Sequence, residues 1–141
     1  MATYNGFEDF VLQLGQGAHQ LQAAGHTVEA YLTNNAPSAS ADSIKTDLVG
    51  ITEQNGYTES DTQNDYTEAT GTGTFACTDI VWTASGGSFG ALQYAVLFNE
   101  TQTSPVDPLI CWWDYGSSIT VNDTETFTLN FGASVFTISV V

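Results

Sequence analysis

Arginine is absent from this chain, and Lys45 is its single lysine, set against 16 aspartates and glutamates, so the formal net charge at neutral pH is -15. Nucleic acids are held mainly by Lys and Arg neutralising phosphates, so the shortage excludes that partner class. An anionic membrane surface is excluded on the same ground. Long apolar runs are missing too. None approaches the roughly 18 residues of a membrane-spanning helix, and the opening Met-Ala-Thr-Tyr-Asn-Gly-Phe has no basic or apolar stretch of a secretory signal. A cytosol-like compartment is therefore expected until any assembly step. Cys77 and Cys111 are too few for a disulfide framework. Each lies in an apolar, strand-like run and is expected to be a small buried side chain, with a bridge between them as the alternative. No zinc site is expected, because His19 and His26 lie far from both cysteines and show no ligand spacing.

What the chain does have is material for a core. With 42% hydrophobic and 12% aromatic residues in 141, it suits one folded domain, 1–141, rather than a disordered segment. Residues 1–26 read as an N-terminal helical arm. Phe7, Phe10, Val11, Leu14, Ala18 and Leu21 recur at helical steps, with Asn5 as N-cap and Glu8 three residues on. Gly15 and Gly17 weaken that helix by about 1 kcal/mol each, which predicts that it needs a partner surface. Residues 27–73 read as a strand, Thr27 to Thr33, followed by a long polar region. One helical turn is possible near Asp42 to Leu48, and Glu53 to Thr74 is expected to be an exposed loop or hairpin, with Asn55-Gly56 as a turn. Loops of that length are commonly functional or covered by a partner.

From residue 74 to 141 the signal is β throughout. Strands are predicted at Thr74 to Thr83, Ala91 to Asn99, Pro108 to Tyr115, Ser118 to Val121, Glu125 to Phe131 and Ser134 to Val141, each bounded by turn residues such as Asp114-Tyr115-Gly116-Ser117. Phe127, Leu129 and Phe131 alternate with polar neighbours, as do Phe136, Ile138 and Val140, so both sets are expected to face a core. The fold class that follows is mainly β: an antiparallel, jelly-roll-like β-sandwich with a short N-terminal amphipathic helix and a long polar loop.

Little in the chain suggests catalysis, and no enzyme activity or cofactor is expected. A hydrolytic triad needs a base beside its nucleophile, whereas His19 and His26 are both near the N-terminus and read as surface or capping residues. Asp79 and Asp114 lie close in sequence to Trp82 and to Trp112-Trp113, which invites comparison with glycosidases, but such a pair also requires one carboxyl held protonated in a pocket. Glu59, Asp61, Asp65 and Glu68, with Asn64 among them, supply the oxygens that calcium takes. Their spacing departs from the helix-loop-helix calcium motif, and a solvated acidic loop without metal is the expectation. The sequons at Asn99 and Asn122 read as turns. Adjacent strand residues face opposite sides, so Trp112 and Trp113 cannot share one core; one of them must face a loop, a ligand or, as favoured here, a subunit.

Several segments taken in order resemble small virion structural proteins of tailed bacteriophages. They are Asp79-Ile-Val-Trp-Thr-Ala-Ser-Gly-Gly-Ser-Phe-Gly, Tyr94-Ala-Val-Leu-Phe-Asn-Glu-Thr, Pro108-Leu-Ile-Cys-Trp-Trp-Asp-Tyr-Gly-Ser-Ser-Ile-Thr-Val and Glu125-Thr-Phe-Thr-Leu-Asn-Phe. Leu32 to Pro37 and Ile51 to Thr58 extend the likeness over nearly the whole chain. The resemblance implies a capsid cement or decoration protein on the outside of the head, assembled in the host cytoplasm and contacting the major capsid protein. Phe7, Phe10, Trp112 and Trp113 are the expected subunit or capsid anchors, and a cyclic homo-oligomer, possibly a trimer at capsid threefold positions, is the expected assembly. The alternative is a tail or fibre component binding host-surface carbohydrate.

Overall fold

The computed structural model describes residues 2–140. In chain order the elements are β1 (Tyr4–Gly6), α1 (Glu8–Gly15), β2 (Val28–Thr33), a 3-10 turn (Lys45–Asp47), β3 (Ser60–Asp61), β4 (Asp65–Ala69), β5 (Thr72–Ala76), β6 (Ile80–Thr83), β7 (Phe89–Asn99), β8 (Leu109–Val121), β9 (Thr126–Leu129) and β10 (Phe136–Ser139). The architecture is mainly β and β-sandwich-like. A five-stranded antiparallel sheet in the order β1-β8-β7-β2-β3 accompanies two smaller antiparallel sheets, β10-β5-β4 and β6-β9.

The register of the large sheet explains where the core sits. Cross-strand partners project from the same face, so Tyr4, Trp113, Ala95 and Leu32 form one row, and Gly6, Cys111, Leu97 and Ala30 form the next row on that face. Asn5, Trp112, Val96 and Tyr31 form a row on the opposite face. Both faces are covered in the middle of the sheet, which is why Ala95 to Phe98 and Leu109 to Trp112 are continuously buried instead of alternating. The cover on the Trp112 face comes from Phe7, whose ring centroid lies 4.6 Å from that of Trp112. It is completed by the polar region, which crosses from Ala39, bonded to the Glu8 N–H, through Lys45, to Gly50, bridged to Thr33. This first part of the polar region is thus the lid of a core. In the β6-β9 sheet, Ile80 and Leu129 pair, as do Trp82 and Phe127, while Val81, Thr126 and Thr128 are exposed.

Several sequence expectations need correction. The helix is capped by the extended residue Phe7, and Asn5 belongs to β1. It ends before Ala18 and Leu21 because Gly17 adopts φ +79°, while the Ala18 and Gly17 N–H groups bond back to the carbonyls of Gln13 and Leu14. That pair of bonds is a Schellman stop, which needs the left-handed residue glycine supplies. Ala18 and Leu21 are still buried, but from the turn beyond the helix. The predicted strand Thr74 to Thr83 divides at Cys77-Thr78-Asp79 into β5 and β6, which belong to different sheets.

Further along, Pro108 to Tyr115 and Ser118 to Val121 are one strand, β8. The expected turn between them is absorbed by register shifts opposite Gly90 to Tyr94 and by the Asp114 carboxylate accepting the Gly116 N–H. Within Glu53 to Thr74 the hairpin alternative is the one that forms: β4 and β5 are joined by Thr70 and Gly71, both at positive φ, as a two-residue hairpin turn requires. In β10 only Phe136 reaches the core. Ile138 and Val140 remain 48% and 82% exposed because the strand runs along the outer edge of its sheet.

Candidate functional site

An open cleft of about 620 Å³ lies between the face of the large sheet that carries Trp113 and the segment running from β9 towards β10. Its lining includes Tyr4, Ala95, Trp113, Tyr115, Phe127 and Phe131. Ala95 creates much of the space. In the row Tyr4, Trp113, Ala95, Leu32 it is the one position without a large side chain, so nothing fills the gap beside the indole. The aromatic rings then hold one another: Trp113 meets Tyr4 at 6.1 Å and 72° and Phe131 at 5.5 Å and 70°, both edge to face, and Tyr115 meets Phe127 at 5.9 Å. Tyr4 is itself 38% exposed, and its hydroxyl, protonated at neutral pH as in any ordinary tyrosine, is a potential donor beside the cleft.

Two carboxylates are tied to residues lining the cleft. Asp79 accepts the Phe131 N–H at 2.8 Å, and Asp114 accepts from Gln93 Nε2 at 3.0 Å. These are the two aspartates the sequence placed near tryptophans. Each accepts a hydrogen bond from a cleft residue, and neither lines the cleft itself.

The four expected anchors fare differently. Trp113 is partly accessible and lines the cleft. Phe7, Phe10 and Trp112 are buried in the chain's own core, which corrects their assignment as surface anchors. Phe7 covers Trp112, and Phe10 packs against Phe136 at 5.6 Å. The physical reason is β1. By pairing with β8 it draws the N-terminal segment onto the large sheet, so the helix finds its partner surface within the same chain. Trp112 therefore occupies the core-under-cover position that alternation allowed for one of the two tryptophans.

His19 departs from expectation, while His26 stands half-buried just before β2. His19 is buried, and its Nδ1 and that of His26 lie 3.1 and 2.9 Å from Asn99 Nδ2. Burial, reinforced by His26, lowers the His19 pKa to about 4, so the ring is neutral at pH 7. Its Nε2 is buried without a hydrogen-bond partner. Asn99 is consequently an interior strand end rather than a surface turn, whereas Asn122 does sit in a turn, held by Glu125.

In the acidic region each carboxylate has a local role. Glu59 pairs with Lys45, Asp61 accepts from the Gln63 backbone and side chain, Asp65 accepts the Ala23 N–H, and Glu68 accepts the Gly71 N–H. Among the described residues no three His, Cys, Asp or Glu side chains gather as a metal site. Cys111 is buried and Cys77 half-buried, both as free thiols; burial raises the Cys77 pKa to about 11 and that of Cys111 well above its usual value.

Sequence reasoning missed Tyr4, Tyr115, Phe127 and Phe131 as members of a site. One signal was present: Tyr115 stands two residues from Trp113 in a strand and so shares its face, next to an exposed glycine and serines. Comparison of the chain with protein-family models, with curated proteins and with solved structures finds no match.

Proposed function

We propose that this chain is a non-enzymatic virion structural protein that attaches to the outside of a bacteriophage capsid and stabilises contacts between major capsid protein subunits. The observation that carries the reading is the aromatic cleft: an open apolar trough around Trp113 on a chain whose other large aromatics are mostly sealed inside. The ordered resemblance described above supports the phage setting. A cement protein performs no chemistry. It adds buried area across capsomer boundaries, and repetition over a shell turns modest contacts into firm attachment. Self-association as a cyclic trimer at threefold positions fits that role. The net charge of -15 directs the chain away from packaged DNA and towards a less acidic outer surface.

Immunogold labelling of virions with antibody against the chain tests the proposal. Labelled heads, together with co-sedimentation of added protein with stripped capsids, are the expected result; label confined to tails or fibres overturns it. The rival reading, a fibre component stacking host sugars on Trp113, is less well supported by the geometry. Sugar stacking needs an open aromatic face, and Trp113 is flanked edge to face by Tyr4 on one contact and Phe131 on another. A glycan array gives no signal on the cement reading and a signal lost in Trp113→Ala on the sugar reading.

A further inference from the structure

We propose that the cleft receives an extended apolar segment of a partner protein flanked by lysine or arginine. This names the partner chemistry of the site above and rests on reading the chain as a docking protein.

Shape is the first argument. The cleft is a trough rather than a closed pocket, and its lining is aromatic and aliphatic, with Leu129 and Val135 added to the rings already described. A trough of that kind takes side chains presented in a line. Backbone is the second argument. β1 pairs with β8 from Cys111 to Trp113, yet β8 continues to Val121 with only β7 as strand partner among the described residues. The continuation beginning at Asp114 and Tyr115 therefore presents main-chain groups on its outer edge, next to the cleft, where an extended segment can add itself to the sheet. A saccharide or a docked helix makes no use of such an edge.

Charge decides what flanks the apolar part. Asp79 and Asp114 accept hydrogen bonds from cleft residues Phe131 and Gln93 without lining the cleft themselves, and among the described residues neither forms a salt bridge. The chain's single lysine is spent elsewhere, paired with Glu59 and lying 4.6 Å from the Phe98 ring centroid on the other face of the sheet. Among the described residues no Lys or Arg stands at the cleft, so in a chain of net charge -15 the complementary charge comes with the occupant. The same reasoning disfavours a second copy of the chain, which would bring its own charge of -15 to a chain of equal charge.

The test uses the full chain and three synthetic octapeptides, acetylated and amidated. One carries Leu-Val-Thr-Leu between paired lysines, one the same core between paired glutamates, and one four serines between paired lysines. Binding is followed by the indole N–H resonances, which separate Trp113 from Trp82 and Trp112. The lysine-flanked apolar peptide is expected to shift the Trp113 signal selectively and to bind about tenfold or more tighter than either control. Ser134→Trp, which fills the cleft from its turn, is expected to weaken that binding about tenfold while leaving the melting temperature near wild type, and Trp113→Ala is expected to weaken it too.

Equal binding of the glutamate-flanked or serine-centred peptide overturns the proposal, as does a perturbation at Trp82 or Trp112 in place of Trp113. Glycan binding or self-association that Ser134→Trp abolishes also overturns it, by assigning the cleft to a sugar or a second copy. Peptide binding without labelled heads leaves the cleft assignment standing and removes the virion reading. Labelled heads without peptide binding do the reverse.

Discussion

At the scale of single residues, half-buried Lys45 and buried His19 bear the clearest electrostatic consequences. Lys45 is the chain's one lysine, with no arginine beside it in the sequence, and its nitrogen lies over the rings of Phe98 and Tyr31 while it pairs with Glu59. Around it Glu29 is surrounded by Glu100, Glu59 and Asp61, and burial followed by those neighbours raises its pKa, with Lys45 pulling the other way. The lysine therefore holds an acidic edge together instead of meeting a partner. His19 is the second group. Its folded pKa, about 4, lies below the ordinary value of 6.5, so the unfolded chain binds the extra proton. Stability from this group is complete above pH 6.5 and drains away as pH falls towards 4, by up to about 3 kcal/mol. Urea midpoints measured at pH 7 and pH 4.5 should fall steeply for the wild type and distinctly less for His19→Phe; identical slopes would refute a role for His19.

At the scale of elements, the N-terminal segment shows how a weak helix becomes a fixed one. Eight helical residues are too few to persist alone in water. They are held because β1 pairs with β8 before them, Phe10 enters the core from the helix, and a Schellman stop ends it at Gly17. An added Cβ at Gly17 meets nothing within 4 Å, so its substitution probes backbone conformation without a steric clash. Gly17→Ala should cost about 1 kcal/mol, through the positive φ, and lower the melting temperature by about 3 °C. An unchanged or raised melting temperature would show that the helix ends some other way. The same reasoning applies to the polar region: its segment from Ala39 to Gly50 is ordered by hydrogen bonds to Glu8 of α1 and to Leu109 and Thr33 of the large sheet.

Across the whole molecule, a charge of -15 on 141 residues has two effects of opposite sign in salt. Repulsion among carboxylates destabilises the folded chain and is screened as ionic strength rises, while attraction to a basic partner is screened as well. Raising NaCl from about 10 mM to about 500 mM, where the Debye length falls from ~30 Å to below ~8 Å, should therefore raise the melting temperature and weaken capsid or peptide attachment. Attachment indifferent to salt would assign the holding to the aromatic cleft alone, with the acidic surface serving solubility.

Composition and local pattern determined the β character, the short N-terminal helix and the inward face of β9, because these depend on residue type and a two- or 3.6-residue period. Alternation also required Trp112 and Trp113 to part company. Only the tertiary structure decided which went where. Pairing of β1 with β8 put Phe7 over Trp112 and left Trp113 facing the gap beside Ala95. That pairing joins residues more than a hundred positions apart, and no local period registers it. The burial of His19 beside Asn99, eighty residues away, and the exposure of Ile138 and Val140 on an edge strand have the same cause. An apolar residue's period states which neighbours share its face; what covers that face is settled by long-range packing.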